Sequence, residues 1–539
     1  MAVDYRQRRR QFNLKENTTA ILGKDTSQLN VAVLCCDRHC GENKIALHWR
    51  NEEGVSRDYT FEELKVRSEQ FSDVLRKQGV GSGDRVAGLL PRIPELVITI
   101  IAVWRIGAVY QPLFTAFGPK AIEHRVTTSS AKVIVTDLVN RPKLESAGLS
   151  ATIVTAIREG ETLPAGDVAF NQKVDLSSSN TKPVGRNLDD AFLMMFTSGT
   201  TGLPKPLYVS VKALVPFANY MRDAIGLRDD DRFWNLADPG WAYGLYYAVT
   251  GPLLLGCATL LYDGPFSVDS AINVIKDNHV NNLAGAPTAY RLMMGAKSKA
   301  VHEIKGQLRA VSSAGEPLSP DVISWFSENL DTVIHDHYGQ TELGMLLCNY
   351  HGLQHEVTPG TAGYAMPGFR LAVVSDEGAE LAAGEAGILA VELSGSPLFW
   401  FTGYEGISTN LVDEQFYLTG DIAILNRNES IKLVGRADDV ITSSGYRIGP
   451  FDIESVLIEH EAVVEAAVIG KPDTIRTEII KAFVVLENNV GTTDSLVEEL
   501  QAWVKQRLGA HSYPREIDFV DDLPKTPSGK VQRFLLKQR

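Results

Sequence analysis

Hydroxyl side chains, glycines and one lysine are concentrated in a single short stretch. Thr197, Ser198, Gly199, Thr200, Thr201 and Gly202, followed by Lys205, come directly after an apolar run from Phe192 to Phe196. Small hydroxyls donate hydrogen bonds, glycines let backbone N–H groups come close, and a lysine adds positive charge. Such a stretch suits an anion with many oxygens. It is not a Walker A loop, because no G-x-x-x-x-G-K-[ST] is present. Taken alone, it reads equally well as a surface turn.

Four further segments carry chemistry of a compatible kind. Ser313-Ala314-Gly315-Glu316-Pro317 ends an apolar run, and Ser319-Pro320 then opens a helix. His335-Asp336-His337-Tyr338-Gly339-Gln340-Thr341-Glu342 offers an aromatic face for a base, a hydroxyl for phosphate and a carboxylate for a hard cation. Tyr417-Leu418-Thr419-Gly420-Asp421 sets one carboxylate after a strand and a tight turn, where its oxygens could accept from a ribose diol. Leu523 to Lys530 is a loop punctuated by proline and glycine that presents a lysine. Individually these are a strand-to-helix connection, a polar loop, a turn and a surface loop. In this order they fit one nucleotide.

The elements that must hold these residues are legible from periodicity. The chain has 539 residues, 44% apolar and 22% charged, which is the composition of an ordinary globular protein of several lobes. A net charge of −13 argues against nucleic-acid binding, which needs basic patches. Cys35, Cys36, Cys40, Cys257 and Cys348 are few and odd in number, as expected of reduced thiols, and Cys35, Cys36, His39 and Cys40 lack the paired spacing of a zinc site. The arginines at 6, 8, 9 and 10 lead into no apolar core, so no secretion signal is expected; a cytoplasmic location is expected, with the mitochondrial matrix as the alternative. Trp241 to Tyr262 carries no charge and is long enough to cross a bilayer, but Gly244, Gly251, Pro252 and Gly256 interrupt it. A buried helix, a Gly-Pro turn and a core strand are expected there, and no membrane span.

Thr60 and Glu63 form a capping box for a helix through Gln78, stopped by Gly79. A strand from Arg85 to Leu90, a helix from Pro94 to about Ile106 and a strand from Lys132 to Val135 follow. Apolar strands alternating with helices indicate a parallel sheet covered on both faces. Residues 137–190 are weakly patterned and are expected to form a loop-rich edge. The alternation resumes over 208–335, short Gly-separated strands over 361–435 suggest a small β subdomain, and the last hundred or so residues restart as an α+β unit.

The ordered motifs resemble those of the adenylate-forming superfamily over roughly residues 30–539, and within it the acetyl- and medium-chain acyl-CoA synthetases. The run from Gly435 to Pro450 is especially similar to the medium-chain enzymes. The resemblance implies an α/β fold. After an N-terminal extension (1–29) comes a large N-terminal domain (30–435) of stacked αβ subdomains plus the β subdomain. A hinge (436–438) then leads to a mobile α+β C-terminal domain (439–539). It implies ATP, Mg2+ and coenzyme A as cofactors and a small-molecule carboxylate as substrate, with acyl-AMP formed first and acyl-CoA, AMP and pyrophosphate released. By the same resemblance Thr197 to Gly202 and Lys205 hold the β- and γ-phosphates, Thr341 contacts the α-phosphate and Glu342 holds the metal. Gly315, Glu316, Pro317, Asp336, His337, Tyr338, Gly339 and Gln340 flank the nucleotide. Asp421 takes the ribose, assisted by Arg436, and Arg447 matches a functional arginine. Lys530 bridges the attacking carboxylate and the α-phosphate, Asp438 is the hinge, and Ser444 and Gly445 meet coenzyme A. Acetylation of Lys530 by a lysine acetyltransferase, reversed by a deacetylase, would silence it. Pro206 and Val209 depart from the glycine and histidine often found at these positions.

Trp241, Ala242, Tyr243, Ala314 and Gly339 match acyl-pocket positions. Acetyl-CoA synthetases have tryptophan at the position of Gly339, so glycine is expected to leave room for an acid larger than acetate, and a Gly339→Trp change to restore acetate preference. Two alternatives stay open: a ligase that loads a carrier-protein pantetheine, and a nucleotide-binding regulator that has lost the reaction.

Overall fold

The computed structural model describes residues 3–145, 148–175, 177, 180–197, 204–296, 299–316, 318–405, 411–412, 415–443, 446–473, 477–488, 490–508, 512–525 and 530–539. The chain divides into two compact units. The first comprises Met1–Val357, Ala365–Phe369 and Ser396–Thr409; the second comprises Thr358–Tyr364, Arg370–Gly395 and Asn410–Arg539. The stretch 361–435, which the resemblance includes in the large N-terminal domain, is thus shared between the two units.

In the first unit, one sheet has the spatial order Lys205–Ser210, Ala191–Thr197, Val109–Pro112, Arg85–Leu89, Val133–Asp137, Thr152–Ala156, Val168–Ala169. All neighbours are parallel except the first pair. The helix Phe61–Lys77 starts where expected, with the Thr60 hydroxyl accepting from the Glu63 N–H at 3.1 Å. The helix Pro94–Arg105 has proline in its first turn, where the missing N–H costs nothing, and is buried along almost its whole length. Its last residue, Arg105, has no exposed side-chain surface and is tied to Asp37 by bonds of 2.8 and 2.6 Å.

Residues 137–190 hold more order than their pattern suggests. Thr152–Ala156 and Val168–Ala169 extend the sheet, and Phe170–Asp175 is helical. Val168–Ala169 is only two residues, too short for periodicity to reveal it. The Gly251-Pro252 pair is likewise helical rather than a turn. Ala242–Gly244 leads into a π-helical segment, Leu245–Thr250, and then into the helix Gly251–Leu255, which ends at the left-handed Gly256. A Cβ on Gly251 would lie 2.6 Å from Met221 Cγ, so glycine permits close packing there. Among the described residues no helix is long and apolar enough to cross a membrane.

The second sheet of this unit runs in the order Gly344–Cys348, Ile334–Gln340, Ala310–Ala314, Asn282–Gly285, Phe233–Asn235, Thr259–Asp263, Ile45–Asn51, Ser56–Thr60. It is parallel except at Gly344–Cys348 and Ser56–Thr60. The N-terminal residues are anchored to the same unit: Val3–Asp4 pairs with Leu353–Gln354, and the buried Tyr5 donates to Ala365 O at 2.8 Å.

In the second unit, Arg370–Val374, Ala386–Glu392, Phe416–Leu425 and Ile431–Arg436 form an antiparallel meander. A separate sheet joins Tyr446–Ile448, Ile441–Ser443, Thr477–Leu486 and Val463–Asp473, with Glu516–Phe519 parallel to Thr477–Leu486. Helices Pro450–Ile458 and Asp494–Leu508 share its core through Leu457, Val468, Leu500 and Val504.

Candidate active site

The hydroxyl-rich stretch begins and ends on two antiparallel strands, Ala191–Thr197 and Lys205–Ser210. Thr197, the last residue of its strand, faces Lys205, the first residue of the next. Ser198, Gly199, Thr200, Thr201 and Gly202 lie outside the described residues, as do Pro317, Ser444 and Gly445. Pro206 is tolerated because its strand is at the sheet edge, where a missing N–H breaks no ladder bond. The free edge is taken up by residues 404–405: Leu207 bridges to Tyr404, and Glu405 N–H donates to Pro206 O at 3.1 Å.

That arrangement joins Lys205 to Glu342. The Tyr404 hydroxyl donates to Glu342 Oε1 at 2.5 Å, and the Lys205 ammonium sits 5.2 Å from the centre of the Tyr404 ring. Glu342 is 8% exposed. Tyr404 thus orients a nearly buried carboxylate while offering a lysine its ring face. No motif flags this tyrosine. The only signal is its place in the aromatic run Phe399-Trp400-Phe401-Thr402-Gly403-Tyr404.

The segment from His335 is a strand rather than a polar loop. Ile334–Gln340 pairs in parallel with Ala310–Ala314 on one side and antiparallel with Gly344–Cys348 on the other. Asp336 pairs with Ser313, so both lie one strand spacing apart. Burial pushes the Asp336 carboxyl well above the usual carboxylate range, and its Oδ1 has no hydrogen-bond partner among the described residues. Beyond the strand end, Gly315 takes a left-handed φ of 97°, the turn that only glycine adopts freely. Glu316 is held by Thr288 at 2.6 Å and by Arg291 at 2.8 Å. Thr341 O accepts from Tyr246 at 3.0 Å, and Met345 N–H donates to the Tyr247 hydroxyl at 3.0 Å. The π-turn therefore braces the hairpin that carries Tyr338, Gly339 and Gln340, a use in keeping with where such turns occur.

Trp241, Ala242 and Tyr243 sit at the first turn of that helix, each partly exposed. Gly244 cannot carry a side chain, since a Cβ would lie 2.1 Å from Asp238 O. Trp241 packs on Phe114 and Phe117, with ring centres 5.3 and 5.4 Å away, and its Nε1–H is buried without a partner among the described residues. Tyr243 bonds Tyr220, which in turn bonds His337. Ala314 is buried. Gly339 is not glycine for pocket room alone. A Cβ there would lie 2.2 Å from Gly344 O and 2.7 Å from Met345 Cα. The strands approach too closely for any side chain, and a tryptophan would have to displace backbone.

The other sequence-identified residues belong to the second unit. Asp421 is inside the strand Phe416–Leu425 rather than after it, and pairs with Arg436 across the ladder. Arg436 Nη1 lies 3.4 Å from Asp421 Oδ1 and 3.3 Å from Thr419 O. Gly420, with φ 74°, leaves space for that guanidinium: a Cβ would come within 3.1 Å of it. Asp438 O accepts from Lys537 Nζ at 2.8 Å. Arg447 is on the strand Tyr446–Ile448, opposite Thr442. Lys530 is exposed, next to the Lys525–Val531 bridge.

The donor set suits a hard cation and a nucleotide. Among the described residues no cluster of three or more histidine, cysteine or carboxylate side chains could hold a metal. One fixed carboxylate, Glu342, matches Mg2+, which binds through one or two carboxylates plus phosphate oxygens. The unpartnered Asp336 Oδ1 is an acceptor suited to an exocyclic amine, and the Trp241 N–H is a donor.

Comparison with known proteins gives consistent matches. Residues 36–403 match the model described as AMP-binding enzyme, and residues 452–530 match AMP-binding enzyme C-terminal domain. The chain is 36% identical to acetyl-coenzyme A synthetase of Bacillus subtilis, covering 99% of this chain and 94% of that protein. It is 34% identical to the mitochondrial acyl-coenzyme A synthetase ACSM4 of Rattus norvegicus, over 92% of this chain and 86% of that one. The crystal structure of Brucella canis acyl-CoA synthetase is 52% identical, covers 99% of this chain and 98% of its own, and superposes with a TM-score of 0.81.

Proposed function

The chain belongs to the AMP-binding enzyme family and is an AMP-forming acyl-CoA synthetase; on that premise we propose that its acid is larger than acetate. It activates a carboxylate with ATP to acyl-AMP, then transfers the acyl group to the thiol of coenzyme A. What supports a larger acid is residue size at two positions that the resemblance assigns to the acyl pocket: Ala242 and Ala314 each supply only a methyl group. Each further buried methylene is worth about 0.8 kcal/mol, severalfold in affinity per carbon, which suits chains of about four to ten carbons.

In this scheme Lys205 and Thr197 meet the terminal phosphates, Glu342 holds Mg2+, and Asp421 with Arg436 takes the ribose. Mg2+ would supply charge neutralisation at the phosphates. Adenylation joins two anions, so positive charge decides the rate. A cation about 4 Å away contributes about 4 kcal/mol at an effective dielectric near 20. Lys530 is that cation, Asp438 is the hinge that withdraws it for the thiol step, and acetylation of Lys530 would remove the charge. A panel of straight-chain acids, assayed for AMP release with and without coenzyme A, tests the chain-length assignment. Comparable kcat/KM for acetate and hexanoate would defeat it. Lys530→Gln should abolish pyrophosphate exchange yet still convert synthetic acyl-AMP and coenzyme A to thioester; loss of both activities would contradict the assigned role.

A further inference from the structure

A chain of hydrogen bonds runs from the strand Gly344–Cys348 and its continuation to the proposed acyl pocket, and its proton order is fixed. His337 Nε2 lies 2.8 Å from Asn349 O. A carbonyl only accepts, so Nε2 carries the proton and donates. Burial holds the His337 ring down to about 3, so it is neutral and Nδ1 is bare. Tyr220, fully buried, lies 2.8 Å from Nδ1 and must give its single proton there. The Tyr220 oxygen can then only accept from the Tyr243 hydroxyl, 3.2 Å away. Tyr243 has spent its proton inward. Among the described residues nothing else donates to its oxygen, and the residue is partly exposed beside Trp241 and Ala242.

Granted the acyl-pocket placement of Tyr243 proposed above, we infer that Tyr243 presents a hydrogen-bond acceptor and selects acids bearing a hydroxyl or amino donor on the acyl chain. A plain alkyl chain leaves this oxygen unfilled. An oxo group at the same position meets it lone pair to lone pair. Tyr220 and His337 are positioning residues: they touch no substrate but dictate which way the Tyr243 proton points.

The test uses the full-length enzyme and matched acids of six carbons: hexanoate, its hydroxy derivatives with the hydroxyl walked from carbon 3 to carbon 6, and the corresponding oxo acids. AMP release gives kcat/KM for each. At one hydroxyl position the hydroxy acid should exceed hexanoate by about tenfold, the size of one hydrogen bond, and the matching oxo acid should fall below hexanoate. In Tyr243→Phe the hydroxy-to-alkyl ratio should collapse toward one, whatever the absolute rates. In Tyr220→Phe the Tyr243 proton is released toward the pocket, so the oxo-to-hydroxy ratio should rise by about tenfold, a reversal that mere loosening would not produce. No preferred hydroxyl position in the wild type, or an unchanged ratio in Tyr243→Phe, would overturn the inference. Poor use of every six-carbon acid beside good use of acetate would instead overturn the chain-length assignment.

Discussion

Replacing Gly339 with alanine separates two explanations of why no side chain stands there. If glycine serves only to leave room in the acyl pocket, one methyl should trim the pocket and move preference toward shorter acids. The structure gives a different expectation. An added Cβ would lie 2.2 Å from Gly344 O and 2.7 Å from Met345 Cα, both backbone atoms of the paired strand. An ordinary carbon–oxygen contact is about 3.3 Å or more, so the hairpin must open by about 1 Å. Overpacking of this kind costs about 1–3 kcal/mol. The displaced strand carries Asp336 and Tyr338 and is followed by Thr341 and Glu342, and a misplacement of about 1 Å can cost about 10²-fold in rate. Gly339→Ala should therefore lose kcat/KM for acetate and hexanoate by similar factors, with a lowered urea midpoint. Gly339→Trp should fare worse, not gain acetate preference. A Gly339→Ala enzyme of wild-type stability with an altered acetate-to-hexanoate ratio would refute the steric reasoning.

Other outcomes follow from particular contacts. Tyr404→Phe removes the donor that fixes the buried Glu342 carboxylate, so the Mg2+ concentration for half-maximal pyrophosphate exchange should rise about tenfold or more; an unchanged Mg2+ titration would exclude the contact from the site. Asp37→Ala leaves the buried Arg105 guanidinium with Glu69, 3.6 Å away, as its one remaining carboxylate among the described residues, beside the Ser68 hydroxyl at 3.3 Å, and should destabilise the protein by about 3 kcal/mol in denaturant unfolding; a loss under about 1 kcal/mol would mean the charge is relieved elsewhere. Burial holds His335 at about 2 and His337 and His351 at about 3, far below the usual histidine value of about 6.5. The unfolded chain then takes up protons that the folded one refuses, so stability is fully present above about pH 6.5 and falls as pH drops toward 3. Each of these histidines removes up to about 1.4 kcal/mol per pH unit across that window. Denaturant midpoints at pH 7.5 and 5.5 check this, and His351→Gln should flatten the slope if the assignment is right.

The sequence alone determined the elements that local physics controls. Thr60 caps a helix because its hydroxyl reaches the N–H three residues on, Pro94 starts one because its missing N–H is not needed there, and apolar strands alternate with helices because a parallel sheet buries both faces. Residues with intrinsic chemistry, such as Lys205, Glu342, Asp421 and Lys530, could be chosen by type and order. Tertiary structure decided what those residues touch. Tyr404 reaches Glu342 across 62 positions of the chain and Tyr220 reaches His337 across 117, and no local period records such a pairing. Gly251-Pro252 reads as a turn until Met221 is seen against it, and Gly339 reads as open space until the neighbouring backbone fills that space. Local rules register the conformation each residue prefers. Contacts between strands and helices distant in sequence depend on where the whole chain closes, and only the folded molecule contains that.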